Sequence, residues 1–110
     1  MVKRGDIIYL KKSAYFGAMG HIQGGYRPMI VVSNDIGNKY SNLAICVPLT
    51  TNKSRLGFPT HVLINDHSVA LCEQLFTFNQ NDIDRIVGHA SGKEMQQLNN
   101  CLMVSLGVTI

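Results

Sequence analysis

Tryptophan is absent from this 110-residue chain, and aromatic residues make up only 7% of it. A module that binds proline-rich peptides needs an aromatic groove, so this composition disfavours that class. Charged residues are also scarce, at 15%, whereas hydrophobic residues reach 45%. Such a balance is typical of a globular protein and not of a disordered chain. We therefore expect residues 1–110 to form a single domain with one core.

Long apolar runs are missing as well. The longest, such as residues 29–32, are far shorter than the roughly 20 residues of a transmembrane helix. The opening residues, MVKRGD, do not resemble a signal peptide. The sequence therefore predicts a cytoplasmic protein that does not enter a membrane.

Cysteine and histidine do not occur at the spacings of metal ligands. Cys46, Cys72 and Cys101 are odd in number, lie in apolar segments and form no CxxC motif. We expect them to be buried free thiols in a reducing compartment. The four histidines and the carboxylates show no pattern such as HExxH. We expect no metal ion and no other cofactor.

Positive charge is concentrated in the first part of the chain. Residues 1–60 contain eight basic and two acidic residues, a formal charge of +6, whereas residues 61–110 carry −3. A basic half favours an anionic partner, most simply a nucleic acid. Scattered lysines on an ordinary solvated surface are the alternative, and charge alone does not decide between the two.

One loop combines several features of phosphate recognition. Gly24 and Gly25 allow the main chain to approach a ligand closely. Pro28 then favours an extended backbone at Arg27, just before an apolar strand. A guanidinium held in this way presents a planar set of donors to phosphate oxygens. Taken alone, the segment also fits an ordinary surface arginine beside a turn.

Turn residues divide the chain into short strand-forming segments. The pattern predicts strands at residues 6–10, 27–33, 43–49, 60–64, 68–72 and 75–78, a loop at 13–26, a turn or one helical turn at 34–38, a hairpin at 65–67 and a helical turn at 79–85. We expect Pro48 to bend or end its strand. Ser91 and Glu94 form a capping box before a helix that ends at Gly107. Together these segments predict an α+β protein, mainly β, in which a small β-barrel packs against the helix.

Motif blocks that run nearly end to end carry a family resemblance. They are residues 2–9 (VKRGDIIY), 23–28 (QGGYRP), 33–41 (SNDIGNKYS), 47–50 (VPLT), 59–62 (PTHV), 71–74 (LCEQ) and 102–107 (LMVSLG). In this order they resemble the MazF/PemK family of type II toxin–antitoxin toxins. The resemblance implies an SH3-like β-barrel, a homodimer and metal-independent cleavage of single-stranded RNA. It also implies inhibition by an acidic antitoxin with a disordered C-terminal tail.

The family's catalytic pair falls on Arg27 and Thr50. The resemblance implies attack by a ribose 2′-OH, with Arg27 and Thr50 stabilising the phosphorane that forms. The products would carry 2′,3′-cyclic phosphate and 5′-OH ends. Because arginine stays protonated, it is poorly suited to be the general base. His21 is a candidate proton carrier, and a loop histidine with no catalytic task is the alternative.

Five further residues are candidates for the site. Three lie in the glycine-containing loop, one is a lysine of the basic half, and one is a residue at which the chain departs from the family pattern. Gln23 is a possible catalytic or RNA-binding residue, and Gly24, Gly25, Lys53 and Phe76 are candidate RNA-binding residues. Phe76 stands where many family members have arginine, which weakens a phosphate contact or offers a stacking face to a base.

His61 lies in the PTHV block, and we expect it to have a structural role.

The alternative function is that of a non-catalytic or gyrase-directed toxin on the same scaffold. Gyrase-directed relatives, however, use a tryptophan near the C-terminus, and this chain has none.

Overall fold

A computed structural model describes residues 1–14 and 27–108, which form a mainly β structure with a C-terminal helix. The strands are β1 Asp6–Leu10, β2 Met29–Val31, β3 Leu43–Thr50, β4 His61–Ile64, β5 Ser68–Leu71, β6 Phe76–Asn79 and β7 Ile83–His89. The helices are α1 Asp35–Tyr40 and α2 Gly92–Leu106, and short 3₁₀ turns span Lys53–Arg55 and Gln80–Asp82. The predicted fold class, mainly β with one long helix at the end, is confirmed.

The strands pair antiparallel in the order β4-β5-β3-β2-β1-β7, and β6 pairs with β3. Strand β3 is the centre of this arrangement because it pairs with β2, β5 and β6. Among the described residues, β4 and β7 are the two ends of the order and do not pair with each other. The pairing therefore gives an open sheet, and the predicted closed barrel is not confirmed.

Pro48 does not end its strand, contrary to one of the two predicted outcomes. Strand β3 continues to Thr50, and the Leu49 N–H donates to the Pro28 carbonyl at 3.0 Å. Since successive N–H groups of a strand point to opposite edges, the missing N–H of Pro48 faces away from β2. On the other edge of β3, residues 43–46 pair with β6 and residues 49–50 pair with β5. Pro48 lies between these two paired segments. A proline is tolerated there because no ladder bond is lost.

Strand β7 was not predicted. The helical turn expected at residues 79–85 is limited to Gln80–Asp82, capped by the Asn79 side chain, and Ile83–His89 then pairs with β1. None of the seven β7 residues is buried, and its register with β1 shifts twice. It therefore lacks the alternation of apolar and polar residues that reveals a strand in sequence.

The other local predictions differ in their outcomes. Strand β2 is shorter than the predicted 27–33. Of the two alternatives expected at 34–38, a turn or one helical turn, the structure has the helical one, the short helix α1 capped by Asn34. The hairpin is confirmed, with Asn65 and Asp66 in the left-handed conformation at φ 55° and 61°, which Asn and Asp tolerate well. Residues 12–14 are helical, and the rest of the predicted loop at 13–26 lies outside the described residues.

Alternation along the central strands separates two apolar clusters. Ile30, Val47 and Leu49 belong to one, which Leu98 of α2 covers. The other contains eight buried residues: Val2, Ile8, Leu10, Met29, Val31, Ala44, Cys46 and Phe78. Because neighbours in a strand point to opposite faces, the two clusters lie on opposite faces of β2 and β3.

The cysteines follow the prediction of free thiols. All three are unpaired, Cys46 and Cys72 are buried, and Cys101 is half-buried. Burial raises the pKa of the Cys46 thiol to about 12.

Helix α2 begins with the predicted capping box and ends as predicted. The Ser91 hydroxyl accepts from the Glu94 N–H at 3.1 Å, and the Glu94 carboxylate accepts from the Ser91 N–H at 2.8 Å. Gly107 ends the helix at φ 70°. The second carboxylate oxygen of Glu94 accepts from the Asn65 N–H, which ties the β4–β5 hairpin to the helix. None of the helices in residues 1–14 and 27–108 is long and apolar enough to cross a membrane.

We expect Glu94→Ala to lower the free energy of unfolding by about 1–2 kcal/mol, because it removes the capping box and the hairpin bond. Partial burial raises the pKa of Glu94, but the bonds from Ser91 and Asn65 together lower it by more. Its contribution should therefore be complete above the unfolded value of about 4.3 and vanish as pH falls through the folded pKa. Urea unfolding at several pH values measures this.

Glu94→Gln separates the two bonds, since its one amide oxygen can accept from the Ser91 N–H, whereas its NH2 group cannot accept from the Asn65 N–H. The stability of the Gln variant should lie between those of the parent protein and Glu94→Ala, and it should not depend on pH through this side chain. A Glu94→Ala variant as stable as the parent protein would contradict the account.

Candidate active site

Strands β2 and β3 bring Arg27 and Thr50 together. Their antiparallel register continues beyond β2, because the Leu49 N–H donates to the Pro28 carbonyl at 3.0 Å. One step further along the same register, Arg27 lies opposite Thr50. Directly opposite residues project from the same face, with Cβ atoms about 4.5–5.5 Å apart. The two residues that the sequence motifs single out are therefore neighbours in the sheet.

The position of this pair in the ladder favours close contact. Pro28 and Leu49 share a main-chain hydrogen bond, so the adjacent pair, Arg27 and Thr50, occupies a position without one. Side chains approach each other most closely at such positions. Both residues are half-exposed, which leaves the end of the sheet accessible to a substrate.

Thr50 is oriented by the turn that follows it. Its Oγ1 accepts from the Asn52 N–H at 3.2 Å. A hydroxyl that accepts in this way can still donate its hydrogen to a phosphate oxygen. The Asn52 side chain in turn accepts from the N–H and the hydroxyl of Ser54, at 3.1 and 2.6 Å, and caps the 3₁₀ turn that begins with the exposed Lys53. Asn52 was not among the site residues predicted from the sequence, although the polar run after the strand is typical of such turns.

Phe76 lies on the same face as the pair but at a distance from it. It pairs with Cys46, which precedes Thr50 by four residues, or about 13 Å along β3. Its ring is half-buried against the second apolar cluster, 6.1 Å from the ring of Phe78 and inclined to it by 27°. The structure thus gives Phe76 a packing role and does not bring it beside Arg27 and Thr50.

Four of the candidate site residues lie outside the described residues. These are His21, Gln23, Gly24 and Gly25. Their roles remain predictions.

His61 is structural, as expected. Its side chain is 3% exposed, and Nε2 lies 2.9 and 3.0 Å from the two carboxylate oxygens of Glu73. Partial burial raises the pKa of Glu73, but the hydrogen bonds, foremost that from His61, together hold it below its ordinary value. Elsewhere, His67 is exposed in the hairpin and His89 is half-exposed beside Asp6. Within residues 1–14 and 27–108, no three His, Cys, Asp or Glu side chains lie close enough to hold a metal ion.

Comparison with known proteins identifies the family. A family model described as the PemK-like, MazF-like toxin of type II toxin–antitoxin systems matches residues 3–106. The chain belongs to this family. The resemblance seen in the sequence motifs is therefore confirmed.

Individual relatives of this PemK/MazF family member agree in sequence and in fold. Endoribonuclease MazF of Staphylococcus saprophyticus subsp. saprophyticus is 35% identical over 115 residues, covering 98% of this chain and 93% of that protein. A mycobacterial endoribonuclease solved in complex with its cognate antitoxin superposes with a TM-score of 0.82 at 20% identity, covering 100% and 99% of the two chains. MazE–MazF from Deinococcus radiodurans gives a TM-score of 0.73 at 19% identity, covering 98% and 97%.

We expect Glu73→Ala to lower the free energy of unfolding by about 1–3 kcal/mol, because the buried His61 nitrogen loses its partner. The difference should be largest near neutral pH and shrink as pH falls through the lowered pKa of Glu73. Thermal unfolding from pH 3 to 7 measures both effects. Asp84→Ala is the control, since it removes only the exposed 2.6 Å ion pair with Arg85 and should cost at most about 1 kcal/mol. Equal losses in the two variants would contradict the structural role of His61.

Proposed function

We propose that this PemK/MazF family member is a metal-independent, sequence-specific endoribonuclease that cuts single-stranded messenger RNA in the cytoplasm and so inhibits translation and growth. Family membership and the pairing of Arg27 with Thr50 support this function. The main supporting observation is the strand register, because it brings an always-charged guanidinium and a hydroxyl donor to one accessible point. The relative from Staphylococcus saprophyticus carries the name endoribonuclease.

The proposed reaction uses the substrate's own ribose as the nucleophile. The 2′-oxygen attacks the adjacent phosphorus and loses its proton, and negative charge develops on the non-bridging oxygens of a pentavalent phosphorane. The 5′-oxygen then leaves and takes up a proton, which gives 2′,3′-cyclic phosphate and 5′-OH ends. Arg27 forks onto the non-bridging oxygens, and the Thr50 hydroxyl donates to the same group. Arg27 thus stabilises charge and does not act as the base, and His21 is the proposed proton carrier.

This chemistry does not require a bound metal ion. A metal would either generate a hydroxide nucleophile or neutralise phosphate charge. Here the ribose 2′-OH supplies the nucleophile, and Arg27 supplies the positive charge. DNA lacks the 2′-OH and should not be a substrate.

Purified protein should therefore cut single-stranded RNA equally well in EDTA and in Mg²⁺, and it should leave DNA of the same sequence intact. The product ends are read by testing whether polynucleotide kinase labels the 5′ end without prior dephosphorylation. Cleavage abolished by EDTA, or products with 5′-phosphate ends, would overturn the mechanism. Absence of cleavage in any RNA, with toxicity retained, would favour the non-catalytic alternative.

Arg27→Ala should lower the cleavage rate by about 10²–10³ or more, because one preorganised donor group is lost from the transition state. Arg27→Lys should also be severely impaired, since a point charge does not reproduce the fork. The free energy of unfolding should change by no more than about 0.5–1 kcal/mol. Lys93→Ala is the matched control, because it removes one exposed positive charge from helix α2. Full activity in Arg27→Ala would move the active site elsewhere, first to His21.

We further propose that the protein is a homodimer. Exposed apolar side chains occur where α1 lies beside β3: Ile36, Tyr40, Leu43 and Ile45 are 74%, 78%, 50% and 40% exposed. The first two are one helical turn apart, and the last two project from one face of the strand. A contiguous apolar surface of this kind fits a second copy of the chain.

The proposed inhibitor is an acidic antitoxin whose disordered C-terminal tail binds the basic half of the toxin. Residues 1–60 carry a formal charge of +6 and include Arg27, Thr50 and Lys53. A carboxylate-rich tail would fold on binding and compete with RNA phosphates for this surface. Its affinity should fall with added salt.

Sedimentation equilibrium at micromolar concentration should give a dimer. The double variant Ile36→Lys with Leu43→Lys should shift it towards monomers, because two charges enter the proposed contact. Val104→Lys is the control, since Val104 is 54% exposed but lies on α2. A monomeric parent protein would overturn the dimer, and an unchanged double variant would overturn this surface.

A further inference from the structure

An open pocket of about 170 Å³ lies where the two ends of the strand order face each other. Its walls come from β1, from the β4–β5 hairpin and from β7, and Pro28 and Leu49 complete it. The lining residues are Ile7, Tyr9, Pro28, Leu49, Ile64, Asn65, His67, Ser68, Val87 and Gly88. The pocket therefore occupies the seam at which the sheet fails to close.

This pocket and the candidate active site share one end of the sheet. Pro28 and Leu49 line the pocket, and Arg27 and Thr50 are their immediate neighbours along the chain, Arg27 just before β2 and Thr50 at the end of β3. Since neighbouring residues in a strand point to opposite faces, the pocket and the catalytic pair open on the two sides of the same strand ends. A chain bound across this end can present a phosphate to Arg27 and turn the attached base into the pocket.

The pocket has both apolar and polar lining residues. Leu49, Ile64 and Val87 are apolar, whereas Asn65, His67 and Ser68 of the hairpin carry donors and acceptors. A nucleobase has the same division, with two apolar faces and a polar edge. None of the described residues that line the pocket is a lysine or an arginine. The pocket therefore suits an uncharged base better than a phosphate. Its volume is below the roughly 300–1,000 Å³ of sites for larger ligands.

Contacts outside the pocket hold its walls in place. The Arg85 guanidinium lies 4.6 Å from the centre of the Tyr9 ring. Glu94 accepts from the Asn65 N–H and thereby fixes the hairpin against helix α2. A site whose walls are ordered before binding loses less entropy when it closes on a ligand.

We propose that this pocket binds the base of a nucleotide flanking the scissile phosphate, with Tyr9 against its face and Asn65, His67 and Ser68 at its edge. The pocket would then set part of the cleavage sequence. The proposal rests on the proposed ribonuclease function. Base stacking on aromatic side chains and hydrogen bonds to base edges are the usual means by which proteins read single-stranded RNA.

The first test compares cleavage-site preferences of the parent protein with those of His67→Ala and Tyr9→Leu on a randomised RNA pool. Both variants should relax the preference at one and the same flanking position by roughly 10- to 100-fold. Asp66→Asn is the matched control: it lies one residue from His67, does not line the pocket, and its side chain tolerates φ 61°. Unchanged preferences in both variants would overturn the pocket and leave the ribonuclease function standing.

The second test does not depend on cleavage rates. A short RNA with a 2′-deoxyribose at the mapped cleavage position binds without being cut, and a second version lacks only the flanking base. The parent protein should bind the abasic version at least about 10-fold more weakly, whereas Tyr9→Leu should bind the two alike. Equal affinity of the parent protein for both versions would overturn the proposal. Failure of the parent protein to cut any RNA would instead overturn the proposed function.

Discussion

One hydrogen bond, from the Leu49 N–H to the Pro28 carbonyl, continues the pairing of β2 and β3 beyond the three-residue β2. The register that follows from it sets Arg27 opposite Thr50. The missing N–H of Pro48 faces away from β2 and costs no bond there, whereas Pro28 accepts from Leu49 but has no N–H to donate back to the Leu49 carbonyl. Had Pro48 ended β3, which was one of its two predicted effects, Thr50 would have been lost from the ladder and would not lie opposite Arg27.

In the proposed function, strand alternation gives the two sides of this end of the sheet different roles. One face presents Arg27 and Thr50, and the other contributes Pro28 and Leu49 to the pocket in the open seam. The chemistry of phosphate transfer needs fixed charge and hydrogen-bond donors, whereas the reading of a base needs apolar walls with a polar rim. In this proposal, adjacent residues at the ends of short strands supply both, while Leu98 of helix α2 packs in the same apolar cluster as Leu49.

The elements that could be predicted from the sequence are those that depend on residues close to one another in the chain. The hairpin at Asn65 and the capping box at Ser91 follow from residue types within a few positions of each other. Strand β7 was missed because its exposed side chains and shifted register leave no periodic pattern. Motifs could name Arg27 and Thr50, but their proximity depends on strand register, which no single segment determines. The pocket was not predictable, since separate segments of the chain build it.

The central claim is that Arg27 and Thr50 act on the same phosphate, and a double-mutant cycle in kcat/KM tests it most directly. Arg27→Ala and Thr50→Val should each lower kcat/KM by about 10²–10³. Because both side chains stabilise one transition state, kcat/KM of the double variant should be less than about 10-fold below that of the less active single variant. A double variant whose loss equals the product of the two single losses would show independent action and contradict the account.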